Sequence, residues 1–371
     1  MVPATERATI GRSWQEIERR VGSAGLSCSW AWTAAWLRHY GDLVPHRFVV
    51  GERDGPCAIA LVVEGVGQTR GPIPVRTVHL GTAGEPDAET VRVEYNRLLV
   101  APGDRRDFLR GLLDTIVASD LRWDELRFDG FPFEEIGPLI DLDPSFIADT
   151  RVCHVADLAA VRRGSGDVLC ALRRHTAAKI RRTIRRLEEQ HGPLRVEWAE
   201  TREQAEQIFA EMLVLHRARW ESTGRTGTFA SPRFAGFHRD LVASLFSAGA
   251  ILLARVSAGN CTIGCDYGFV EHNRVLSYQW GVRRFEDRRL SPGLVTGAAV
   301  MQAALERGLD EYDWLAGDVL YKRELATTTR ELVWARTARG PRIRVIAELT
   351  RAKRLAQRLR PLHALAGVTL P

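Results

Sequence analysis

The sequence lacks an apolar run long enough to cross a membrane. Its hydrophobic stretches, such as 250–254, fall far short of the roughly 20 residues that a spanning helix needs. The N-terminal stretch MVPATERATIGRSWQEIERR carries acidic side chains and has no apolar centre of the kind that marks a secretory signal. We therefore expect no spanning helix, no export by that route and a cytoplasmic location.

Cysteine is also scarce, and its spacing does not fit familiar metal sites. The six cysteines include no CxxC pair and have no histidine cluster of the zinc-finger type nearby. We expect no metal site and interpret the cysteines as small packed thiols in a reducing compartment.

The overall composition is that of a folded globular protein. Hydrophobic residues make up 45% and charged residues 26% of a chain of 371 residues, a length that favours two domains. The net charge of +6 is compatible with an anionic partner. Arginine far outnumbers lysine, which suits phosphate binding but also follows from a GC-rich coding sequence.

Two halves of the sequence follow the same order of predicted elements. In the first, a helix begins at Ser13, a second helix ends at Gly41, and a hairpin turn over 53–55 opens a run of strands. A further helix and strand complete this half, and the second half repeats the order after a long basic helix. We therefore predict an α/β (α+β) protein of two tandem domains, each a mixed, mainly antiparallel sheet flanked by helices.

The domain limits follow from these elements. We place the first domain at 1–160, a basic linking helix at 161–192 and the second domain at 193–340. Residues 341–371 form a basic helical tail, which either docks on the body or contacts an anionic surface.

The stretch RRLSPG lies between a predicted strand and a predicted helix, a junction that favours anions. Ser291 can cap the helix, Pro292 suits its first position, and Gly293 lets a ligand come close. Arg288 and Arg289 precede them and can pair with phosphate oxygens. The alternative is an ordinary helix start with solvated arginines.

Polar residues also follow the last predicted core strand, in YDWLAGDVLYK. Tyr321 or Lys322 could protonate a leaving group or stabilise developing negative charge, and Asp318 lies beside them. A purely structural role is the alternative for Tyr321 and Lys322. Asp266 and Gln279, inside neighbouring strands, could line an acceptor channel or make buried structural hydrogen bonds.

These segments together resemble a known family. The succession LHRARWESTGRTGTF, a strand pair, YQWGV, RRLSPG and YDWLAGDVLYK is similar to the C-terminal domain of the CelD/BcsL-type acetyltransferases. That group belongs to the GNAT superfamily and shares its tandem layout with the Fem aminoacyl transferases. The stretch from SWQEIERRV to WDELRFDGFP resembles the first, degenerate repeat, so the resemblance spans roughly residues 13–336 and implies a catalytic second domain.

The resemblance also implies site residues. RRLSPG takes the place of the GNAT pyrophosphate loop, although it has Ser and Pro where glycine is usual and Pro292 offers no amide donor. The loop therefore differs from that of the family members that use acetyl-CoA in the ordinary way. The implied cofactor-binding residues are Arg288, Arg289, Leu290, Ser291, Pro292 and Gly293. The candidate catalytic residues are Asp318, Tyr321, Lys322, Asp266 and Gln279.

The expected function is that of a GNAT-type N-acyltransferase (EC 2.3.1.-) with acyl-CoA as co-substrate and a small-molecule, amino-sugar or natural-product amine as acceptor. Asp318 or Asp266 would remove the amine proton, and Tyr321 or Lys322 would donate to the carbonyl oxygen. One alternative is a Fem-like transferase using aminoacyl-tRNA, held by the basic helix over 173–186. The other is a non-catalytic protein of polysaccharide assembly.

Replacing Lys322 by alanine should leave the fold intact and lower turnover sharply, because the substitution removes a hydrogen-bond donor from the reaction centre. Circular dichroism checks the fold and thiol release from acyl-CoA measures turnover. Wild-type turnover in this variant would remove Lys322 from the mechanism.

Overall fold

The computed structural model of the chain describes residues 2–3, 7–22 and 24–349. The strands are β1 (Val2–Pro3), β2 (His46–Glu52), β3 (Pro56–Glu64), β4 (Thr69–Arg70), β5 (Ile73–Pro74), β6 (Thr77–Leu80), β7 (Leu99–Val100), β8 (Glu125–Pro132), β9 (Ile147–Asp157), β10 (Leu194–Trp198), β11 (Ile251–Ala258), β12 (Cys261–Glu271), β13 (Arg274–Val282), β14 (Glu311–Ala316) and β15 (Thr328–Ala338). The helices are α1 (Arg7–Val21), α2 (Trp30–Tyr40), α3 (Arg105–Ala118), α4 (Phe133–Leu142), α5 (Leu158–Arg163), α6 (Val168–Ala171), α7 (Arg174–His191), α8 (Arg202–Glu221), α9 (Pro232–Leu245), α10 (Pro292–Glu306) and α11 (Leu320–Leu325).

One large sheet runs through the described part of the chain. Its strand order is β1-β2-β3-β6-β8-β15-β9-β14-β13-β12-β11-β10, with β7 paired to β3, while β4 and β5 form a separate ribbon. Neighbouring strands are antiparallel except for β6 with β8 and β13 with β14, which are parallel. The predicted fold class, a mixed and mainly antiparallel sheet flanked by helices, is confirmed.

Strand β15 joins the two halves of the sequence. It lies between β8 and β9 and is antiparallel to both, pairing Thr328–Arg336 with Val155–Ile147. Strand β9 in turn pairs with β14. The sheet of the first half is therefore completed by a strand from the end of the second.

Aromatic packing joins the halves as well. The aromatic face of α2 is buried, with Trp36 and Tyr40 fully enclosed. The ring of Trp32 packs edge-on against Phe237 of α9 at a centroid distance of 5.1 Å. Such contacts stabilise beyond simple area burial, so α2 and α9 share one core rather than forming two separate ones.

Two local signals behave as the sequence predicts. Helix α2 ends with Gly41 as its C-cap residue, while its start is capped by Ser29, which was not predicted and which accepts a hydrogen bond from the amide of Trp32. The turn between β2 and β3 places Asp54 and Gly55 at positive φ, as a tight hairpin requires. The prediction that the first helix begins at Ser13 is wrong, because α1 already includes Arg7 and Ser13 lies within it.

The range 161–192, predicted as one basic linking helix, is divided among the end of α5, α6 and α7, and α7 packs on α10 through buried Ile180 and Leu187. The predicted domain limits remain a prediction. Residues 341–349 are helical, whereas the tail helix predicted from Thr350 onward lies outside the described residues. In the described ranges, no helix combines the length and apolar character that crossing a membrane requires.

Gly281→Ala should lower the free energy of unfolding by about 1–3 kcal/mol, because it overpacks the contact between β13 and α8. A Cβ at position 281 would lie 2.5 Å from the backbone oxygen of Met212. Urea unfolding midpoints measure the change. The control is Gly111→Ala in α3, where a Cβ meets nothing within 4 Å. Equal midpoints for the two variants would contradict the proposed close packing.

Candidate active site

Strands β13 and β14 pair in parallel only briefly and then separate. Their register covers Arg274–Leu276 with Glu311–Asp313. After these paired residues, the pairing of β13 with β12 is irregular. The pairing of β14 with β9 is also irregular, between Asp313 and Ala316. The strands thus open a gap in the sheet, which Trp280 and Trp314 enter with ring centroids 4.9 Å apart.

The irregularity in β14 is held by side chains from three parts of the chain. Leu315 has a φ of 60°, which costs a non-glycine residue on the order of 1–3 kcal/mol and persists only where the surrounding structure fixes it. Asp313 accepts the amide of Leu315 at 2.7 Å, and Glu94 accepts the amide of Ala316 at 2.6 Å. Lys322 donates to the carbonyls of Leu315 and Ala316 at 3.0 and 2.9 Å. These four bonds fix the conformation in which β14 leaves β13.

Three neighbouring cavities surround this gap. The turn cavity, of about 630 Å³, lies beside the start of α10. The central cavity, of about 180 Å³, lies at the gap itself, and the cleft, of about 370 Å³, opens within the first half.

Shared lining residues connect the three. The turn cavity is lined by residues that include Arg219, Trp280, Arg283, Arg284, Asp287, Arg288, Leu290, Pro292, Gly293 and Tyr321. The central cavity is lined by residues that include Arg92, Glu94, Arg219, Tyr278, Gln279, Trp280, Ala316, Tyr321 and Lys322. The cleft is lined by residues that include His79, Glu85, Arg92, Glu94, Arg127, Asp129, Arg151, Ala316 and Trp334.

The turn cavity has a positively charged wall. Four arginines line it, and its one acidic side chain is Asp287. A hydrogen bond from Arg289 holds the pKa of Asp287 at about 2, so this carboxylate is ionised, and Arg186 at the end of α7 lies 3.6 Å from it. The first turn of α10 adds the partial positive charge of a helix N-terminus. This combination suits an anionic group such as a phosphate.

The structure brings most of the predicted residues together. Arg288, Leu290, Pro292 and Gly293 line the turn cavity with Tyr321. Gln279 and Lys322 line the adjoining central cavity, again with Tyr321. The phenol of Tyr321 thus lies where the two cavities meet, and its ring packs near Trp280.

Two predicted cofactor-binding residues lie outside these walls. Arg289 is exposed and pairs with Asp287 at 2.9 Å. Ser291 occupies the position before α10, but its side chain makes no capping hydrogen bond. The expectation that this hydroxyl caps the helix is therefore wrong.

Two predicted carboxylates also lie apart from the cavities. Asp318 is half-exposed, and its pairing with Arg323 first, and with His154 second, lowers its pKa to about 2. Asp266 is fully buried on β12, where it accepts bonds from the hydroxyls of Tyr312 and Ser277. Neither lines the turn cavity, the central cavity or the cleft.

Sequence reasoning missed Glu94, which lines both the central cavity and the cleft. Burial raises the pKa of this carboxyl to about 7, against the opposing effects of the Ala316 amide and Lys322. It belongs to an irregular stretch before β7, so no periodicity or motif marks it. Only the contact with Ala316, which lies 222 residues further along the chain, brings it into the site.

The described residues contain no group of three or more His, Cys, Asp or Glu side chains arranged to hold a metal ion. The described cysteines also lie outside the walls of the three cavities.

Residues 174–323 match the family model of the acetyltransferase (GNAT) domain. No curated protein matches the chain in sequence. The matched segment contains α7, the turn cavity and the part of α11 that carries Tyr321 and Lys322, where the sequence had predicted a loop.

Several solved structures share the fold over most of the chain. FemX is 12% identical with a TM-score of 0.55, and the match covers 87% of this chain and 95% of that one. The C-terminal domain of a candidate lysylphosphatidylglycerol synthetase from Agrobacterium fabrum is 13% identical with a TM-score of 0.53, covering 93% and 96%. L-PGS from Bacillus licheniformis is 12% identical with a TM-score of 0.50, covering 92% and 96%. At these identities the likeness concerns the fold.

Asp266→Asn should weaken the pH dependence of stability. Burial raises the pKa of Asp266 from 3.8 to about 7, so between these values it ionises more readily in the unfolded chain. The free energy of unfolding should therefore fall as pH rises from about 4 to about 7 and level off above it. In Asp266→Asn, the part of this decrease that comes from ionisation of Asp266 should be absent.

Urea unfolding at several pH values between 4 and 8 measures the slope. Asp141→Asn, at an exposed position in α4, serves as a control that should keep the wild-type slope. Identical slopes for wild type and Asp266→Asn would contradict the buried, protonated carboxyl.

Proposed function

Because its residues 174–323 make this chain a member of the GNAT superfamily, we propose that it is an N-acyltransferase that uses acyl-CoA and a primary amine. The predicted superfamily membership is thereby confirmed. The GNAT domain supports an acyltransferase in general, whereas the donor and the acceptor are parts of the proposal.

The observation that carries the proposal is the continuity of the turn cavity with the central cavity. A positively charged cavity beside a helix N-terminus suits the diphosphate of CoA. Arg219, Trp280 and Tyr321 line both cavities, so a thioester could extend from the phosphate end toward the gap between β13 and β14. The acyl carbon would then lie where an amine could reach it.

The reaction needs no covalent enzyme intermediate. The amine nitrogen attacks the acyl carbon, a C–N bond forms, and the C–S bond breaks with its electron pair leaving on sulfur. The amine loses one proton and the thiolate gains one. Burial raises the pKa of Tyr321, which keeps the phenol protonated, so we assign it as the donor to the carbonyl oxygen or the leaving sulfur.

We assign Lys322 mainly to positioning. Two of its ammonium hydrogens already bond the carbonyls of Leu315 and Ala316, which leaves one for another partner. Burial lowers its pKa, although Glu94 opposes that shift. Loss of Lys322 would therefore change β14 locally as well as the charge of the central cavity, a structural role that the prediction of an intact fold for Lys322→Ala did not include.

The tandem layout belongs to the same proposal. We propose a degenerate GNAT-like first domain and a catalytic second domain, which agrees with the likeness to FemX over 87% of the chain. Because β15 completes the sheet of the first half and Glu94 reaches the central cavity from it, the two units would act as one enzyme.

An aminoacyl-tRNA donor is the second candidate, favoured by the outer face of α7. Arg174, Arg181, Arg182 and Arg185 are exposed there, and the end of this helix lies beside the turn cavity through Arg186. Arginines spaced along a helix can hold a phosphate backbone. Salt-sensitive retardation of tRNA, together with no response to CoA, would move the assignment to this candidate.

Arg288→Gln should weaken CoA binding about tenfold, ~1.4 kcal/mol, because it removes a charged partner of the diphosphate from the turn cavity. Isothermal titration of the full chain with CoA measures the dissociation constant. The control is Arg239→Gln on α9, an exposed arginine outside the three cavities, which should leave binding unchanged. Equal weakening in both variants would point to general charge, and absence of CoA binding in the wild type would refute the proposed donor.

A further inference from the structure

The cleft of the first half has no role in the function proposed so far. It meets the central cavity at Arg92, Glu94 and Ala316 and shares no lining residue with the turn cavity. A substrate in the cleft and a donor in the turn cavity could therefore approach the same point without sharing a route. Glu94 lies at that point, because it lines both the cleft and the central cavity.

Glu94 is held in place but keeps free acceptor capacity. Its Oε2 accepts the amide of Ala316 at 2.6 Å, whereas Oε1 has no hydrogen-bond partner within the described residues. In the same part of the chain, no Arg, Lys or His nitrogen lies within 4.0 Å of this carboxylate. One oxygen is thus fixed by the backbone of β14, and the other remains available to a ligand.

The surroundings of Glu94 allow it to change charge near neutral pH. Burial raises its pKa to about 7, and the charged or titratable groups around it partly cancel. Arg92 and Lys322 favour the ionised form, and Asp313 disfavours it. Cys153 of β9 and Tyr278 of β13 also face it. A carboxylate of this kind is suited to general base catalysis.

We propose that the cleft admits the acceptor and that Glu94 takes the proton from the attacking amine. This inference rests on the proposed function. As the nitrogen bonds to the acyl carbon, its proton passes to the carboxylate of Glu94, the C–S bond breaks, and the thiolate leaves. Glu94 then returns the proton to solvent through the cleft. The first half of the chain thereby supplies a catalytic residue to a reaction centred on the second.

The walls of the cleft indicate the class of acceptor. They carry both signs of charge, with Arg151 lying 4.2 Å over the ring of Trp334 and Asp129 bonded to His79 at 2.6 Å. An amine on a polar body could form additional hydrogen bonds with these charged side chains, whereas an alkyl amine would displace their water and offer no bonds in return. We therefore assign the cleft to a hydrophilic primary amine such as an amino sugar or an amino acid.

Glu94→Gln separates the catalytic role from a structural one. The carbonyl of glutamine can still accept the Ala316 amide, but it cannot take a proton at neutral pH. With acetyl-CoA and D-glucosamine or glycine, we expect kcat/KM to fall about a hundredfold and the limb of the pH profile near 7 to vanish. CoA binding and thermal stability should stay at wild-type values. An unchanged rate and pH profile would overturn the assignment.

Three comparisons make the test specific. Glu94→Asp should restore part of the activity, and the exposed Glu206→Gln on α8 should behave like wild type. Hydroxylamine is already uncharged at neutral pH and needs less help in losing a proton, so its acylation should fall much less in Glu94→Gln. An equal loss with hydroxylamine and with glycine would indicate a distorted site rather than a missing base.

Arg151→Met tests the cleft itself. It should raise the KM for the hydrophilic amine several-fold and leave the KM for acetyl-CoA unchanged. The opposite result would place the donor in the cleft and refute the inference.

An infrared titration tests the ionisation of Glu94 and its contact with the amine even if no amine is acylated. The carboxyl band that differs between wild type and Glu94→Gln should titrate near 7, and adding D-glucosamine should shift it. Failure to bind CoA would refute the proposed function alone, whereas a band that titrates near 4 would refute the role of Glu94 alone.

Discussion

Among the four hydrogen bonds that fix the course of strand β14, the one from the amide of Ala316 to the carboxylate of Glu94 joins the two halves of the chain. Leu315 keeps an unfavourable backbone conformation because Asp313, Lys322 and this bond act on its neighbours together. The strand consequently departs from β13 and leaves space for ligands. The same bond fixes the position of the one carboxyl group that lines both the central cavity and the cleft.

Burial divides the acidic groups of this region into two kinds. Asp266 is enclosed by β12, Tyr312 and Ser277 and lines none of the three cavities itself, although its partner Ser277 lines the central cavity and accepts a bond from the indole of Trp280 at 2.6 Å. Burial raises the pKa of Glu94 to about 7 as well, yet Glu94 lines the central cavity and the cleft. Perturbed acidity alone therefore does not identify a catalytic group, and position relative to the cavities decides between them.

The sequence predicts features that depend on neighbours along the chain. The end of α2 at Gly41, the hairpin turn at Asp54 and Gly55, and the start of α10 at Pro292 all follow from local preferences, as does the sheet class from its alternating periods. Tyr321 could be placed because its loop follows a strand and resembles a family motif. Glu94 could not, because its role arises from a contact across more than two hundred residues and its own segment has no regular structure. The enclosure of Asp266 likewise depends on tertiary packing.

The position of β15 has a consequence for the order in which the protein can form during synthesis. Strand β8 is complete at Pro132, but its partner begins only at Thr328, so nearly two hundred residues must leave the ribosome before that edge is covered. Until then, the nascent first half exposes unpaired backbone groups that other chains could bind. The sheet of the first half can therefore be completed only after the second half has been synthesised. In a chain truncated before residue 328, β8 would remain an unpaired edge strand that is prone to aggregation.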